Sequence, residues 1–274
     1  MKNRNINLDI IRCCAFFLLV SIHFFLNTGF YNTVVDCNRM YIAMGIRTIS
    51  MLCIPLFLIL TGYLKVEKEY NKKYYSSLIK IIFVYILSMI FNYTFFHYYE
   101  QGNLTFASLI QDIFSFKDSA WYIDMYIGLY LLSPFLNKIF LNSSVKEQKI
   151  LIVSLFFIVS IPSVLNIWNF NYGLEWFKHP YMDSNYLKLI PNWWGLLYPL
   201  LYYFIGCYIK KNNIEIKTKK VCILFIASIL ISTLFNIYRS YNSVFCCYTF
   251  TDWRKLPKRY IINSFCYFND KIEI

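Results

Sequence analysis

Arg12 and His23 are ionisable side chains with ten residues between them in an otherwise apolar segment. On an α-helix, eleven steps of about 100° bring the two side chains to within about 20° of each other, roughly 16 Å apart along the axis. Asp9 lies three residues before Arg12, a spacing at which the two can pair. Imidazole is suited to proton transfer near neutral pH, and a guanidinium fits phosphate oxygens. The spacing therefore places two ionisable side chains of different chemistry on one helix face.

The segment that carries these residues is long and apolar enough to cross a bilayer, which makes their presence informative. An ionisable side chain at membrane depth costs about 3 kcal/mol on insertion scales, and it usually marks a site or a pathway. Two plainer interpretations stay open. Arg12 could extend to lipid head groups, and His23 could be a hydrogen-bonded structural histidine.

The composition indicates a membrane protein. Of the 274 residues, 58% are hydrophobic and 15% are charged, which predicts a polytopic membrane protein. The formal net charge is +12, but the basic residues form short clusters between apolar segments, so we expect topology signals and no nucleic-acid partner. The nine cysteines show no CxxC pair and no Cys/His spacing typical of zinc, so we expect neither a disulfide framework nor a metal site.

The apolar segments predict an all-α, polytopic integral membrane helical bundle with about seven spans. The first segment is too long and too charged for a cleaved signal peptide. Basic residues concentrate in alternate loops, which predicts a cytoplasmic N-terminus. The predicted spans are residues 8–30, 44–64, 78–99, 120–141, 150–168, 193–209 and 221–238.

With alternate spans running in opposite directions, the ionisable residues fall into two predicted layers. Plainer interpretations stay open for two of these residues. Lys80 could extend to lipid head groups, and Asp124 could simply neutralise Arg47. The inner layer holds Asp9, Arg12 and Lys80, and the outer layer holds His23, Arg47 and Asp124.

Four segments, in this order, resemble the membrane acyltransferase 3 family, which includes O-acetyltransferases of cell-wall and surface polysaccharides. The resemblance covers roughly residues 7–237. The first segment has the family's Arg or Lys, ten residues and then His, and the second closes on Thr-Gly-Tyr. The four segments are LDIIRCCAFFLLVSIH, IPLFLILTGYL, AWYIDMYIGLYLLSPFL and WWGLLYPLLYYFIGCYIKK.

The chain departs from the family pattern in two places. Many members carry Arg-x-x-Arg at the start of the third helix, where this chain reads SLIK and offers only Lys80. The family core has about ten helices, whereas this chain has about seven predicted spans. The resemblance therefore implies a membrane domain over residues 1–241 and an atypical tail over residues 242–274, which we expect to be truncated or altered in frame.

The resemblance implies an acyl-CoA donor substrate from the cytoplasm, no bound cofactor, and a hydroxyl acceptor on a glycan or lipid-linked sugar at the outer side. Arg12, paired with Asp9, and Lys80 would bind the donor phosphates. His23 would act as general base on the acceptor hydroxyl.

The remaining predicted site residues have supporting roles in this scheme. Arg47 would stabilise the developing oxyanion, and Asp124 would tune His23. Trp121 and Tyr122 would stack against sugar rings, unless they only form part of an interfacial aromatic belt.

Two other classes of protein stay open. A transporter or flippase would also need ionisable residues in the membrane, although the sequence shows no inverted repeat. An inactive remnant would fit the atypical tail. The composition is typical of an AT-rich bacterial genome, so we expect a multi-pass protein of the bacterial cytoplasmic membrane. The acyl group, the acceptor and the oligomeric state are open.

Overall fold

The computed structural model describes residues 5–99, 105–114, 121–180, 189–214 and 217–245. Within these ranges the chain forms α-helices, three 3₁₀ segments and isolated β-bridges, but no β-strand. The all-α prediction is therefore confirmed for the described residues. The helices are α1 (Ile6–Asn27), α2 (Asn38–Ser50), α3 (Cys53–Lys65), α4 (Lys72–Tyr99), α5 (Phe106–Phe114), α6 (Trp121–Asn142), α7 (Val145–Leu165), α8 (Tyr198–Lys211) and α9 (Thr218–Ser240), and the 3₁₀ segments are Phe30–Asn32, Phe170–Lys178 and Asn192–Leu197.

Five helical segments of the described chain are long and apolar enough to cross a membrane. They are α1, the combined α2–α3 segment, the first 24 residues of α4, α7 and α9. The bundle is thus an all-α membrane bundle, as the sequence predicts. The fourth and sixth predicted spans are the helices α6 and α8, which are not among the five. α8 has only 14 residues, about 21 Å of helix, which is shorter than a hydrocarbon core of about 30 Å.

Helix boundaries differ from the sequence prediction at two places. α1 ends at Asn27, because Gly29 takes a left-handed conformation with φ of 72° and the chain continues as a 3₁₀ segment. The predicted second span is divided at Met51 and Leu52, which separate α2 from α3. These breaks change which way the following side chains point, and a depth estimate from sequence does not include that rotation.

The closest helix pair of the bundle is α3 with α8, and two glycines allow it. A Cβ atom at Gly62 would lie 2.0 Å from the carbonyl oxygen of Tyr203, and one at Gly206 would lie 2.0 Å from that of Ile59. Backbone therefore touches backbone, as small residues permit in membrane helices. We call this contact the glycine seam. Gly62 belongs to the Thr-Gly-Tyr ending of one quoted segment, and Gly206 to the last quoted segment.

A buried polar network connects α3, α4, α6 and α8 at one end of the bundle. The hydroxyl of Tyr203 donates to Asn137 Oδ1 at 2.6 Å, and Asn137 Nδ2 donates to the carbonyl oxygens of Lys65 at 2.6 Å and Lys68 at 2.9 Å. Asn137 is 2% exposed. This residue therefore satisfies carbonyl groups at the end of α3 that have no partner within the helix.

Tyrosines extend this network to α4. The hydroxyl of Tyr130 donates to the carbonyl oxygen of Tyr74 at 2.8 Å, and the Tyr74 hydroxyl bonds to Ser133. The two tyrosine rings stack with centroids 4.4 Å apart, and Lys65 Nζ lies 3.4 Å from the Tyr130 centroid. Cation–π contacts of this kind are worth about 0.5–2 kcal/mol. We call the whole network the Lys65 cluster, which comprises Lys65, Tyr74, Tyr130, Ser133, Asn137 and Tyr203.

Helix α9 packs against α2 and buries polar side chains. Arg47 of α2 is 0% exposed, and Arg239 of α9 is 2% exposed. Arg47 Nε donates to the Tyr31 hydroxyl at 2.9 Å, and its guanidinium carbon lies 4.5 Å from the ring centroid of Phe245. Asn236 Nδ2 lies 3.5 Å from the Thr48 hydroxyl oxygen. We call this group the Arg47 cluster, and it includes Tyr31, Arg47, Thr48, Asn236, Arg239 and Phe245.

Candidate functional site

The predicted pairing of Asp9 with Arg12 is present in the first turns of α1. Asn5 caps the helix by accepting a hydrogen bond from the Asn7 backbone N–H, and Asp9 occupies the first turn, where a carboxylate favours the helix dipole. Arg12 Nη1 donates to Asp9 Oδ1 at 2.7 Å. The Arg12 side chain is 49% exposed and that of Asp9 is 24% exposed. The guanidinium is therefore oriented by a carboxylate while its other donors stay accessible.

His23 lies on the same unbroken helix as Arg12. Because α1 runs from Ile6 to Asn27 without interruption, the spacing places both side chains on one face, about 16 Å apart along the axis. His23 is exposed, and its backbone carbonyl accepts a hydrogen bond from Asn27 Nδ2 at 2.8 Å. We call this side of α1, with Asp9, Arg12 and His23, the Arg12–His23 face.

The Arg12–His23 face does not line an enclosed interior channel within the described residues. The buried residues of α1 are Ala15, Ile22 and Phe25, and through these the helix packs against α3 and α2. His23 follows Ile22 and so points about 100° away from that packed direction. The face is therefore open along the side of the bundle and is not enclosed between packed helices.

The structure does not bring Arg47 to His23. Phe25 packs in one apolar cluster with Met44, which precedes Arg47 by less than one turn of α2. His23 is two residues from Phe25, so its side chain points about 160° away around α1. The sequence predicts a similar depth for both residues but carries no information on the direction of their side chains.

Asp124 also lies apart from Arg47. It is exposed in the first turn of α6, on the part that meets α4, and it acts electrostatically on Tyr85. Within the described residues Asp124 forms no ion pair with Arg47. The alternative that Asp124 neutralises this arginine therefore has no support in the described contacts.

Lys80 is exposed on α4, far around the helix from the packed side. Leu78 is buried against α6, and Lys80 is two residues later, about 160° away from it. α4 packs against α5 and α6, whereas α1 packs against α2 and α3. The described contacts thus do not join Lys80 to Arg12, and the position of Lys80 suits an ammonium group that extends to head groups.

Trp121 and Tyr122 serve as packing residues at the beginning of α6. Both are partly buried against the main apolar core, and the Tyr122 ring lies 6.0 Å from that of Phe57 on α3. The rings of Trp121 and Tyr122 meet edge to face at 5.8 Å. The proposed stacking on sugar rings would use only the parts of these rings that the core leaves exposed.

Sequence reasoning missed the part of the Arg47 cluster that α9 contributes. Asn236, Arg239 and Ser240 are the buried residues of α9, and they recur at the three- and four-residue spacing of one helix face. This polar spacing at the end of an apolar span is visible in the sequence. Within the described residues no group of three or more His, Cys, Asp or Glu side chains could hold a metal ion.

Comparison with known proteins gives one match. A family model described as an acyltransferase domain, acyltransferase 3, matches residues 5–262 and so spans α1 to α9. No curated protein and no solved structure matches the chain.

Proposed function

The chain belongs to the membrane acyltransferase 3 family, and from this premise we propose that it moves an acyl group, most simply acetyl, from cytoplasmic acyl-CoA to a hydroxyl of a cell-surface glycan. His23 acts as the general base in this proposal. The family membership supports acyl transfer as the reaction class. The donor, the acyl group, the acceptor and the base are parts of the proposal.

The observation that carries the proposal is the common face of Arg12 and His23 on α1. Two groups with different chemistry stand about 16 Å apart along one rigid helix, and neither is buried by the described residues. An extended donor can bind its phosphates at one group while its reactive end reaches the other. The Asp9–Arg12 ion pair at 2.7 Å supports this, because it fixes the guanidinium at the N-terminal end of the face.

The proposed reaction is a direct transfer. His23 removes the proton of an acceptor hydroxyl as its oxygen attacks the thioester carbonyl carbon, and the C–S bond then breaks. The thiolate leaves and takes up a proton, which the imidazolium of His23 can return. Positioned acid–base catalysis of this kind typically contributes about 10²–10⁴-fold to the rate.

Arg12 has the phosphate-binding role in this scheme. A guanidinium offers a planar set of donors that matches phosphate oxygens, and Asp9 occupies only part of that set. The alternating basic loops support a cytoplasmic N-terminus, which would put Arg12 at the donor side and His23 deeper. Lys80 adds positive charge near that side without a contact to Arg12.

Arg47 and Asp124 keep a smaller part in the proposal. Arg47 is buried and no described contact joins it to His23, so its support for the reaction is indirect, through the positions of α1 and α2. The oxyanion role that the sequence suggests for Arg47 requires a donor beside the reacting carbonyl, and the described geometry gives this no support.

The test is acylation of surface glycans in cells that express the chain. His23→Ala and Arg12→Ala should each abolish or greatly reduce the acyl content, measured by mass spectrometry of the glycan, at equal abundance in the membrane. Arg12→Lys should restore part of the activity, because a charge remains but the planar donor set is lost. Normal acylation with both alanine variants would refute the proposed roles.

Two control variants sharpen the test. His179→Ala replaces a histidine that stacks on Tyr172 at 3.7 Å, away from α1, and should leave acylation unchanged. Arg39→Ala removes an exposed arginine of α2 and should do the same. A transporter would leave the mass of the glycan unchanged in every strain while its distribution across the membrane changes. That result would replace acyl transfer by transport.

A further inference from the structure

A cavity of about 320 Å³ lies between the α2–α3 junction, α7 and the beginning of α8. It is roughly twice the size of an engineered cavity of about 150 Å³ that holds benzene, and it falls within the range of ligand pockets. Among the described residues, no Asp, Glu, Lys, Arg or His side chain lines it. Its walls include Leu52, Pro55, Val159, Ser160, Ser163 and Tyr202.

The cavity lies toward one end of α7 and α8. It is lined by Met51 and Leu52 at the break between α2 and α3, by Ser163 two residues before the end of α7, and by Tyr198 at the beginning of α8. Phe156 of α7 also lines it and is 54% exposed, so the cavity is open beside α7. Exposed apolar residues of a spanning helix face hydrocarbon. The opening beside Phe156 therefore leads into the bilayer.

Three hydroxyl groups of the lining have no hydrogen bond within the described part of the chain, and they belong to Ser160, Ser163 and Tyr202. Some other serines in the spans bond to their own helix. Ser21 and Ser228 each donate to the backbone carbonyl four residues earlier, at 2.9 and 2.7 Å. A bond of this kind satisfies a serine hydroxyl without any partner from outside the helix. The hydroxyls in the cavity are instead available to an occupant.

We propose that this cavity binds an aliphatic chain of a membrane lipid, with an ester carbonyl of the lipid at the Ser160, Ser163 and Tyr202 hydroxyls. The apolar walls suit the hydrocarbon, and the hydroxyls suit a few acceptor oxygens, which is the usual composition of a ligand pocket. The lateral opening selects a ligand that is already dissolved in the bilayer. The described lining residues carry no charge, so they offer a head-group phosphate no opposite charge. This site is independent of the proposed acyl transfer at α1.

The test is photolabelling of the full chain in lipid nanodiscs with a phospholipid that carries a diazirine in one acyl chain. Labelled peptides should concentrate on residues 156–163 and 198–205. Labelling of these residues no stronger than of the opposite, exposed side of α7 around Ser154 would overturn the proposal, since it would indicate ordinary contact with surrounding lipid. A diazirine fatty acyl-CoA added from water to unlabelled nanodiscs should not label them. If it does and the phospholipid does not, the lipid assignment is wrong.

Two kinds of variant test the cavity itself. Ser163→Phe fills it and should remove most of the labelling, whereas Ser154→Phe adds the same ring on an exposed part of α7 and should not. The combined Ser160→Ala and Tyr202→Phe variant keeps the volume but removes two hydroxyls. It should lower the label yield roughly threefold to tenfold, as expected for one or two lost hydrogen bonds. Undiminished labelling in this variant and in Ser163→Phe would refute the site, and gel filtration of each variant checks that it is folded.

Discussion

The Arg12–His23 face and the glycine seam are two neighbouring regions of the bundle that have opposite properties. The face belongs to α1, which is exposed along much of its length, and its polar side chains are accessible. The seam joins α3 and α8 so closely that neither helix can carry a Cβ at the contact. The candidate site residues thus lie on the exposed helix α1, whereas the most tightly packed contact is that between α3 and α8. Mutations should therefore separate activity from folding according to the region they change.

The largest expected effect is on activity at the exposed face. His23→Gln keeps a polar side chain of similar size but removes the base, so acyl transfer should fall by about 10²–10⁴-fold. The thermal unfolding midpoint in detergent should not change, because the side chain is exposed. Measurement of both quantities on the same preparation checks the prediction. A lower unfolding midpoint with normal activity per folded molecule would mean that His23 contributes to folding and not to catalysis.

The next largest effect is on folding at the seam. Gly206→Val would force a branched side chain against the Ile59 carbonyl oxygen, and we expect a loss of at least about 3 kcal/mol or failure to accumulate. Gly128→Val is the matched control, since a Cβ at Gly128 meets nothing within 4 Å. Quantification of folded protein by fluorescence-detected gel filtration measures both. Equal yields would show that α3 and α8 can separate without cost.

A smaller loss of stability should follow when the Lys65 cluster is broken. Asn137→Leu would remove the hydrogen bonds to the Tyr203 hydroxyl and to the carbonyl oxygens of Lys65 and Lys68, at a cost of about 1–3 kcal/mol. The Lys65 carbonyl would keep its bond from the Lys68 backbone N–H. Asn142→Leu replaces an exposed asparagine at the end of the same helix and should change the unfolding midpoint little. If the two variants have the same midpoint, the buried network does not contribute to the rigidity of α3 and α8.

The smallest expected effect concerns the Asp9–Arg12 ion pair. Asp9→Asn keeps a hydrogen-bond acceptor but removes the charge, and half-exposed pairs contribute only about 0.2–1 kcal/mol. Stability should therefore hardly change, while the KM for the acyl donor should shift within about threefold. Steady-state kinetics at low and high salt would show it. A loss as large as that of His23→Gln would mean that Asp9 takes part in the chemistry itself.

The sequence predicts the presence of the helices better than the directions of their side chains. The spacing of Arg12 and His23 correctly implies a common face, because α1 is one uninterrupted helix. The same reasoning predicts similar depths for Arg47 and Asp124, but the described contacts join neither of them to His23. The direction of each side chain depends on how α2 and α6 pack against their neighbours. Hydropathy carries no information on either rotation.

The two packing glycines also show that the sequence does not predict which helices pack together. The sequence identifies Gly62 and Gly206 as parts of the quoted family segments, and it places each on a helix. That the two face each other is a long-range fact, which only the arrangement of α3 and α8 reveals. Similarly, the polar residues of α9 are visible at helical spacing, but their partner α2 is not.

The glycine seam also limits how this protein can move. If α3 moved along α8 by one residue, a side-chain carbon would collide with a backbone carbonyl oxygen. The two helices must therefore move as one rigid body. Any opening or closing during a catalytic cycle then has to occur at the margins of this body, where α1 and α9 rest against it or against α2.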